Sequence, residues 1–464
     1  MMTDILELSI AEAGDKVRAG KISFPDLVTA CLVREETTRD LNAFSDLYAD
    51  EALALAEAHQ ALLTNGCDLG PLHGIPVALK ANIAIRNRRM TAGSAILADH
   101  IAAEDADVTQ RLKRAGAIII GATNMHEFAW GGTTANPHFG QCRNPWDKAR
   151  IPAGSSGGSG AAVAARSAYA TLGTDTGGSV RLPASMNGVT GLRPGVGRIS
   201  TKGVFPLAWS MDTVGPLAPS ARDCATLFSV LSGSGDTLKS LERSLAGLRI
   251  GVIDPYSFQS LQPDIDRSFR QAITLFEDMG VVFQPITIHG LDVAVDAQVI
   301  VDAAEPSAVH ADWIEKRPND YGEDVRILLQ AGKTFTAIEY LQAQRYRTYL
   351  REQFDTVFGE LDLVLTPTLP FTAPLIGQET IMIGDEEEST LTGNMRFTCI
   401  PSLTALPAIS FPIGFDSLSL PIGAQLMAGE DKEMLLLRAV HQFQCNSMFH
   451  KAQPVSARSK DSST

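Results

Sequence analysis

IPAGSSGGSGAAVAARSAYATLGTDTGGSVRLPASMNGVTGLR, running from Ile151 to Arg193, is the stretch the rest of the chain is built to hold. Two Gly-Ser turns in it bracket a small-residue helix and a short apolar run. The first turn, Gly154-Ser155-Ser156-Gly157-Gly158-Ser159-Gly160, passes directly into Ala161–Ala165. It reads as a loop feeding a helix N-terminus, a place that favours anionic groups. The second, Asp175-Thr176-Gly177-Gly178-Ser179, follows the run Tyr169–Leu172 and sets a serine where consecutive N–H groups converge, as an oxyanion hole requires. Flexible linkers share this composition but do not sit between apolar segments that must pack. A phosphate loop needs Gly-Lys-Ser/Thr or G-x-G-x-x-G at the helix start, and neither occurs here. Gly154-x-Ser156-x-Gly158 matches a nucleophile elbow, yet that motif needs a preceding strand, and Asp147–Pro152 is a poor one. All three readings rank below a catalytic pair of turns.

Working outward, Gly74-Ile75-Pro76-Val77-Ala78-Leu79-Lys80-Ala81-Asn82 reads as a buried strand that ends on a lysine. Lysine is rarely buried without a partner or a task. Desolvation lowers its pKa from roughly 10.4 by several units at most, which makes it a usable base. A snorkelling or salt-bridged lysine is the structural alternative, and the neighbouring Gly-Ser motif weighs against it. Upstream, Ser23-Phe24-Pro25-Asp26 is a helix start leading to a helix as far as Glu36, and an Ala-rich helix follows over Ala49–Leu63. Downstream, a helix over Asp107–Ala115 and a strand over Ala117–Ile120 form one step of a wound sheet. The alternation returns with a strand over Leu248–Val252, a helix over Asp264–Met279 and a strand over Val281–Pro285. A long helix over Ala337–Phe354, strands over Leu363–Thr368 and Pro407–Pro412, and a terminal helix spanning Val440–Phe449 complete the pattern.

Composition bounds the class. Length alone suggests about three domains for 464 residues, but no Pro- or Ser-rich hinge divides the chain, and the alternation favours one α/β body. Hydrophobic residues make up 45% and charged ones 20%, enough to build a large core. A net charge of -14 disfavours nucleic acid as a partner. Met1–Glu7 lacks the features of a signal peptide and no run reaches membrane-spanning length, so a soluble cytoplasmic protein with no membrane partner is expected. Cys31, Cys67, Cys142, Cys224, Cys399 and Cys445 are scattered and are expected to be buried free thiols. His126 and Glu127 are adjacent, so their side chains diverge, and no H-E-x-x-H or paired Cys supports a metal.

The two Gly-Ser turns, their separation and the continuation Ser179-Val180-Arg181-Leu182-Pro183 resemble the amidase signature family of Ser-Ser-Lys hydrolases. The resemblance extends over 72–217 and again over 363–414. It implies an α/β amidase signature fold, a large twisted mixed β-sheet flanked by helices on both faces. It also implies one amidase domain over 1–464, with an N-terminal helical layer over 1–70, the signature core over 72–217 and a disordered tail over 456–464. By resemblance Ser179 is the nucleophile, Ser155 the bridging serine and Lys80 the base, with no cofactor. Oxyanion donors come from Thr176, Gly177, Gly178 and Ser179, and Ser156, Asp175 and Arg181 orient them. The loop from Asn124 to Asp147 lines the pocket in the family, which makes Met125, Phe128 and Trp130 candidate walls; Trp209 on the returning segment is another.

The expected reaction is hydrolysis of a small carboxylic amide to acid plus ammonia or amine through an acyl-enzyme on Ser179. Lys80-Ala81-Asn82-Ile83-Ala84, Asn124-Met125-His126-Glu127, Gly173-Thr174-Asp175-Thr176 and Pro374-Leu375-Ile376-Gly377-Gln378 are similar to the indoleacetamide hydrolase and aryl amidase branch, so an aryl or arylalkyl amide leads. Lys80-Ala81 in place of Lys-Asp, Ala153 in place of Gly and Asn187 in place of Cys weaken the reading as the glutaminase component of a glutamyl-tRNA amidotransferase. That reading stays as the alternative, beside a carbamate- or ester-cleaving member. The partner is a small-molecule amide, and a homodimer is allowed.

Overall fold

The computed structural model describes residues 5–234 and 238–454, so the tail expected to be disordered over 456–464 lies outside the described residues. Its frame is one eleven-stranded mixed sheet. The strands in chain order are β1 (Phe44–Leu47), β2 (Pro76–Lys80), β3 (Ile118–Thr123), β4 (Ala170–Asp175), β5 (Thr190–Arg193), β6 (Thr213–Ala218), β7 (Arg249–Ile253), β8 (Val282–Ile286), β9 (Leu363–Pro367), β10 (Ala408–Phe415) and β11 (Pro421–Ala428). Across the sheet they run β1-β3-β2-β4-β6-β5-β10-β11-β9-β7-β8. β3, β2 and β4 are mutually parallel, as are β9, β7 and β8, and antiparallel pairs join the two groups.

Both faces of the sheet are covered. Ile409, Phe411 and Ile413 of β10 enter the main core, where Phe411 meets Phe276 and Phe443, whereas Ala408 packs with Ile400 and Leu403 in a second cluster. That double burial is why the central strands read as unbroken apolar runs rather than as alternating ones.

Three helices, α1 (Ile10–Arg18), α2 (Phe24–Thr37) and α3 (Ala49–Thr64), make up the N-terminal layer. At the start of α2, Ser23 accepts from the Asp26 amide while the Asp26 carboxylate accepts from the Ser23 amide, the reciprocal cap its sequence forecast. Next come α4 (Asp107–Arg114), α5 (Gly157–Ala164), α6 (Arg181–Asn187), α7 (Ala221–Ser232), α8 (Pro263–Asp278), α9 (Ala294–Val309), α10 (Glu323–Gly332), α11 (Ala337–Glu360), α12 (Cys399–Thr404) and α13 (Glu433–Cys445). The terminal helix therefore begins and ends earlier than its apolar pattern suggested.

α5 differs more instructively. It begins at Gly157, so the second half of the first Gly-Ser turn is already helical, and every residue of the helix is buried. A Cβ on Gly158 would sit 2.4 Å from the carbonyl oxygens of Ala43 and Asn124. Glycine is used here for close approach of backbones, not for flexibility. The cysteines are unpaired, but Cys67 and Cys445 are exposed, against the expectation that all six are buried. No helix among the described residues is long and apolar enough to cross a membrane.

Candidate active site

The three parallel strands β3, β2 and β4 end at Thr123, Lys80 and Asp175, so their carboxyl ends open on one side of the sheet. In an open α/β sheet ligands gather beyond those ends. The first Gly-Ser turn is brought there by α5: its Gly158 N–H donates to the carbonyl of Asn124, which follows β3, and His126 N–H donates to the carbonyl of Ser155. The second turn leaves β4 directly. A hydrogen bond from Ser156 N–H to the Ser179 carbonyl, 3.3 Å, ties the two turns together.

Lys80 is completely buried and its Nζ donates to Ser155 Oγ at 2.7 Å and to Thr174 Oγ1 at 2.8 Å. Burial lowers its pKa to about 7, with the negative fields of Asp175 and Asp212 acting against that drop. An ammonium in this position would lack a contacting carboxylate, which is why desolvation prevails. Asn82 also donates to Thr174, at 3.2 Å, and so fixes the hydroxyl from its far side.

Asp175 is the anchor of the second turn. Its carboxylate accepts from the amides of Gly178 (3.0 Å) and Val180 (3.1 Å), from Arg181 Nε and Nη2 (3.0 and 2.9 Å), and from Arg193 Nη1 (3.0 Å). Despite burial, the paired guanidiniums hold it well below the usual carboxylate range. Arg181 continues to Gln425, Ser402 and the Thr398 carbonyl, so one carboxylate and two buried cations clamp the loop to β5, α12 and β11. Thr176 donates to Asp212, 2.6 Å, which also accepts from the amides of Leu207 and Ala208.

Ser179 opens on a cavity of about 140 Å³ walled by Trp130, Leu182, Leu207, Leu328 and Met395, with Gly177, Gln298, Asp302 and Asn394 also facing it. Trp130 lines this cavity. Met125 does not: it is fully buried behind the wall, packed with Ala129 and Leu207, which themselves face the cavity. Phe128 is likewise drawn away, into an aromatic cluster with Phe205, His310, Trp313 and Tyr321. Trp209 is 54% exposed and borders a different, smaller hollow beside Asn82, Thr174 and Asp212. Among the proposed oxyanion donors, Gly178 already gives its N–H to Asp175, leaving the amides of Thr176, Gly177 and Ser179.

A family model described as Amidase matches residues 26–437. The chain belongs to the amidase family. The A-type component of the glutamyl-tRNA(Gln) amidotransferase from Cupriavidus necator is 34% identical over 96% of this chain and 98% of that protein. A solved structure from a vestigial protein complex tied to the origins of an s-triazine catabolic enzyme superposes with a TM-score of 0.90 at 33% identity, covering 95% of this chain and 99% of that one. A crystal structure described only as an amidase gives a TM-score of 0.90 at 28% identity, over 95% of this chain and 100% of that one. This amidase is thus a hydrolase of C–N bonds in amides, and its similarity does not single out the indoleacetamide and aryl amidase branch.

Several of the residues that build the site escape a reading by motif. Thr174 is a hydroxyl in an apolar strand, a signal that could have been used, whereas Arg193 ends the mixed stretch Val189-Thr190-Gly191-Leu192 and carries none. Gln298 and Asp302 stand four apart on α9, which places them on one face. Asn82, Asp212 and Asn394 have no comparable signature.

Proposed function

We propose that Ser179 attacks the amide carbon and that Lys80, neutral at working pH, is the base that acts through Ser155. The observation that carries this is the 2.7 Å bond from a wholly buried lysine to Ser155 Oγ. Ser179 passes its proton to Ser155 as Ser155 passes its own to Lys80, and the new C–O bond pushes charge onto the carbonyl oxygen. The amides of Thr176, Gly177 and Ser179 are the donors available to that oxyanion. Collapse breaks the C–N bond, and the proton returns along the same path to the departing nitrogen. Water then repeats the sequence on the acyl-enzyme and releases the acid.

The amidotransferase relative supports glutamine as the amide, with this chain as a glutaminase that works alongside partner proteins. That support outweighs the short segments that suggested an aryl or arylalkyl amide. A second reading rests on one feature of the cavity: no Lys or Arg among the described residues lines it, so a free α-carboxylate would find no cation there. An autonomous amidase for a small amide with a mostly apolar acyl part fits that wall. Purified chain, checked by gel filtration, should be assayed with L-glutamine, aryl and alkyl amides, carbamates and aryl esters. Turnover of alkyl or aryl amides by the chain alone selects the second reading, and glutamine turnover that needs added partners selects the first. Faster cleavage of esters or carbamates than of every amide would overturn both.

A further inference from the structure

We infer that Gln298, Asp302 and Asn394 form a subsite for an amine nitrogen on the acyl part of the substrate, so that the cavity selects amides whose acyl chain carries an ammonium group. This rests on the cavity at Ser179 being the acyl pocket, and it adds a specificity element to either substrate reading. Gln298 Nε2 donates to Asp302 Oδ2 at 2.9 Å and lies 3.4 Å from the Met395 sulfur. That contact fixes which end of the Gln298 amide faces the carboxylate. It leaves Gln298 Oε1, Asp302 Oδ1 and Asn394 Oδ1 enclosed without a hydrogen-bond partner among the described residues. All three are acceptors, all three residues are buried, and all three line the cavity into which Ser179 opens. Buried polar atoms are ordinarily satisfied, so orphaned acceptors on three residues that line one cavity mark where a donor is expected once a small side-chain turn presents them.

Gln298 and Asp302 abut the nucleophile turn, and Asn394 abuts the neighbouring loop at Gly132. A Cβ on Gly177 would lie 2.1 Å from Gln298 Nε2 and 3.3 Å from Asp302 Oδ2, and one on Gly132 would lie 3.0 Å from Asn394 Nδ2. An ammonium offers three donors and no acceptor, and so complements three oxygens. A neutral alkyl group would leave them desolvated and unpaired. Around Asp302, Asp212 and Glu305 oppose ionisation while Arg193 and Gln298 favour it, and Arg347 senses its charge. Burial is the largest influence and pushes the carboxyl up to about 7, where a bound cation would hold it ionised. Leu182, Leu328 and Met395 supply apolar surface for the intervening methylenes.

Binding can be tested apart from turnover. Ser179→Ala protein should be titrated calorimetrically with ω-amino alkanamides of increasing length and with plain alkanamides of matching length. One amino length should bind about tenfold or more tighter than its plain counterpart. That preference should disappear in a second protein carrying Asp302→Asn, which keeps the shape of the side chain, and shrink with Gln298→Met. Equal affinity for the two series, no binding of either, or a preference that survives Asp302→Asn would overturn the inference. A preference in binding joined to a wild-type enzyme that cleaves none of these amides would leave the subsite standing and remove the acyl-enzyme reading.

Discussion

The two sides of the Ser179 site are built on opposite principles. On the signature side, from Lys80 through Ser155 and Asp175 to Arg193, charged and hydroxyl groups interlock: the lysine meets two hydroxyls, and Asp175 accepts from two turn amides and two guanidiniums. On the facing side, contributed by α9, α10 and the segment before α12, Gln298, Asp302 and Asn394 each keep a buried oxygen unpaired. A closed network holds its geometry while protons pass along it. An unsatisfied wall reserves its bonds for something that arrives. On the proposed reading the chemistry is complete within the protein, while recognition is completed by the substrate.

Removing the nucleophile should break the signature side with the largest effect on rate. Ser179→Ala is expected to lower kcat by on the order of 10⁴ or more while leaving the circular dichroism spectrum and melting temperature near wild type. Retention of a tenth of wild-type hydrolysis would transfer the role to another hydroxyl, with Ser156 the first to examine.

Lys80 should come next, and it sharpens the comparison because it is the one group on that side kept from its ordinary charge state. Activity should rise as pH climbs through about 7 and then level, as the proposed neutral-amine base requires. Lys80→Ala should lose on the order of 10³ in rate together with that rise, and Lys80→Arg should not restore it because guanidinium keeps its proton. Stability follows with a definite sign. In the unfolded chain lysine holds its proton up to roughly 10.4, so between about 7 and that value the unfolded state binds more protons and folding strengthens with pH. Lys80→Met should accordingly raise the urea midpoint, and more at acid than at alkaline pH. An arginine variant with near-normal rate, or a midpoint that falls on alkalinisation from neutral, would contradict the neutral base.

Asp175→Asn probes the clamp itself. It removes the counter-charge shared by Arg181 and Arg193, both fully buried, and breaking such a pair costs about 3–5 kcal/mol. Chemical denaturation should show that loss at neutral pH. A variant as stable as wild type would mean that Gln425, Ser402 and the backbone carbonyls suffice to hold the two arginines.

How far the sequence could be read follows the same division. Lys80 and Ser179 stand out locally, as a charged residue ending an apolar strand and a serine closing a Gly-Gly turn, whereas Ser155 is chosen among the serines of its turn, and all three roles are assigned, by resemblance to the amidase signature family. β2 and α3 were equally plain, while β4 showed only as the short apolar run Tyr169–Leu172. β1, β5, β6 and β11 were not anticipated, since short buried strands such as Thr190–Arg193 look like loop or helix fragments until the sheet pairs them. The partner choice of Asp175 could not be foreseen either, because Arg193 reaches it only through the antiparallel pairing of β4, β6 and β5. The facing wall of the cavity was the least legible part. Gln298, Asp302, Leu328, Asn394 and Met395 lie more than a hundred positions beyond Ser179, and a polar pair four apart on a helix is as often structural as functional.

The smallest expected effect separates two tryptophans that sequence treats alike. Trp130 is half-buried and walls the cavity at Ser179, whereas Trp209 is mostly exposed beside the hollow that reaches Asn82 and Thr174. Trp130→Ala should raise KM by about tenfold, equivalent to ~1.4 kcal/mol of lost apolar contact, with a smaller change in kcat. Trp209→Ala should change kcat/KM by no more than about twofold, as an exposed substitution away from the reacting atoms does. The reverse ranking would place the amide on the Lys80 side of the signature turn. Thr176 borders that hollow while Gly177 and Ser179 border the cavity, so the two entrances flank the same short turn. Only the tryptophan pair, measured side by side, tells which of them the substrate uses.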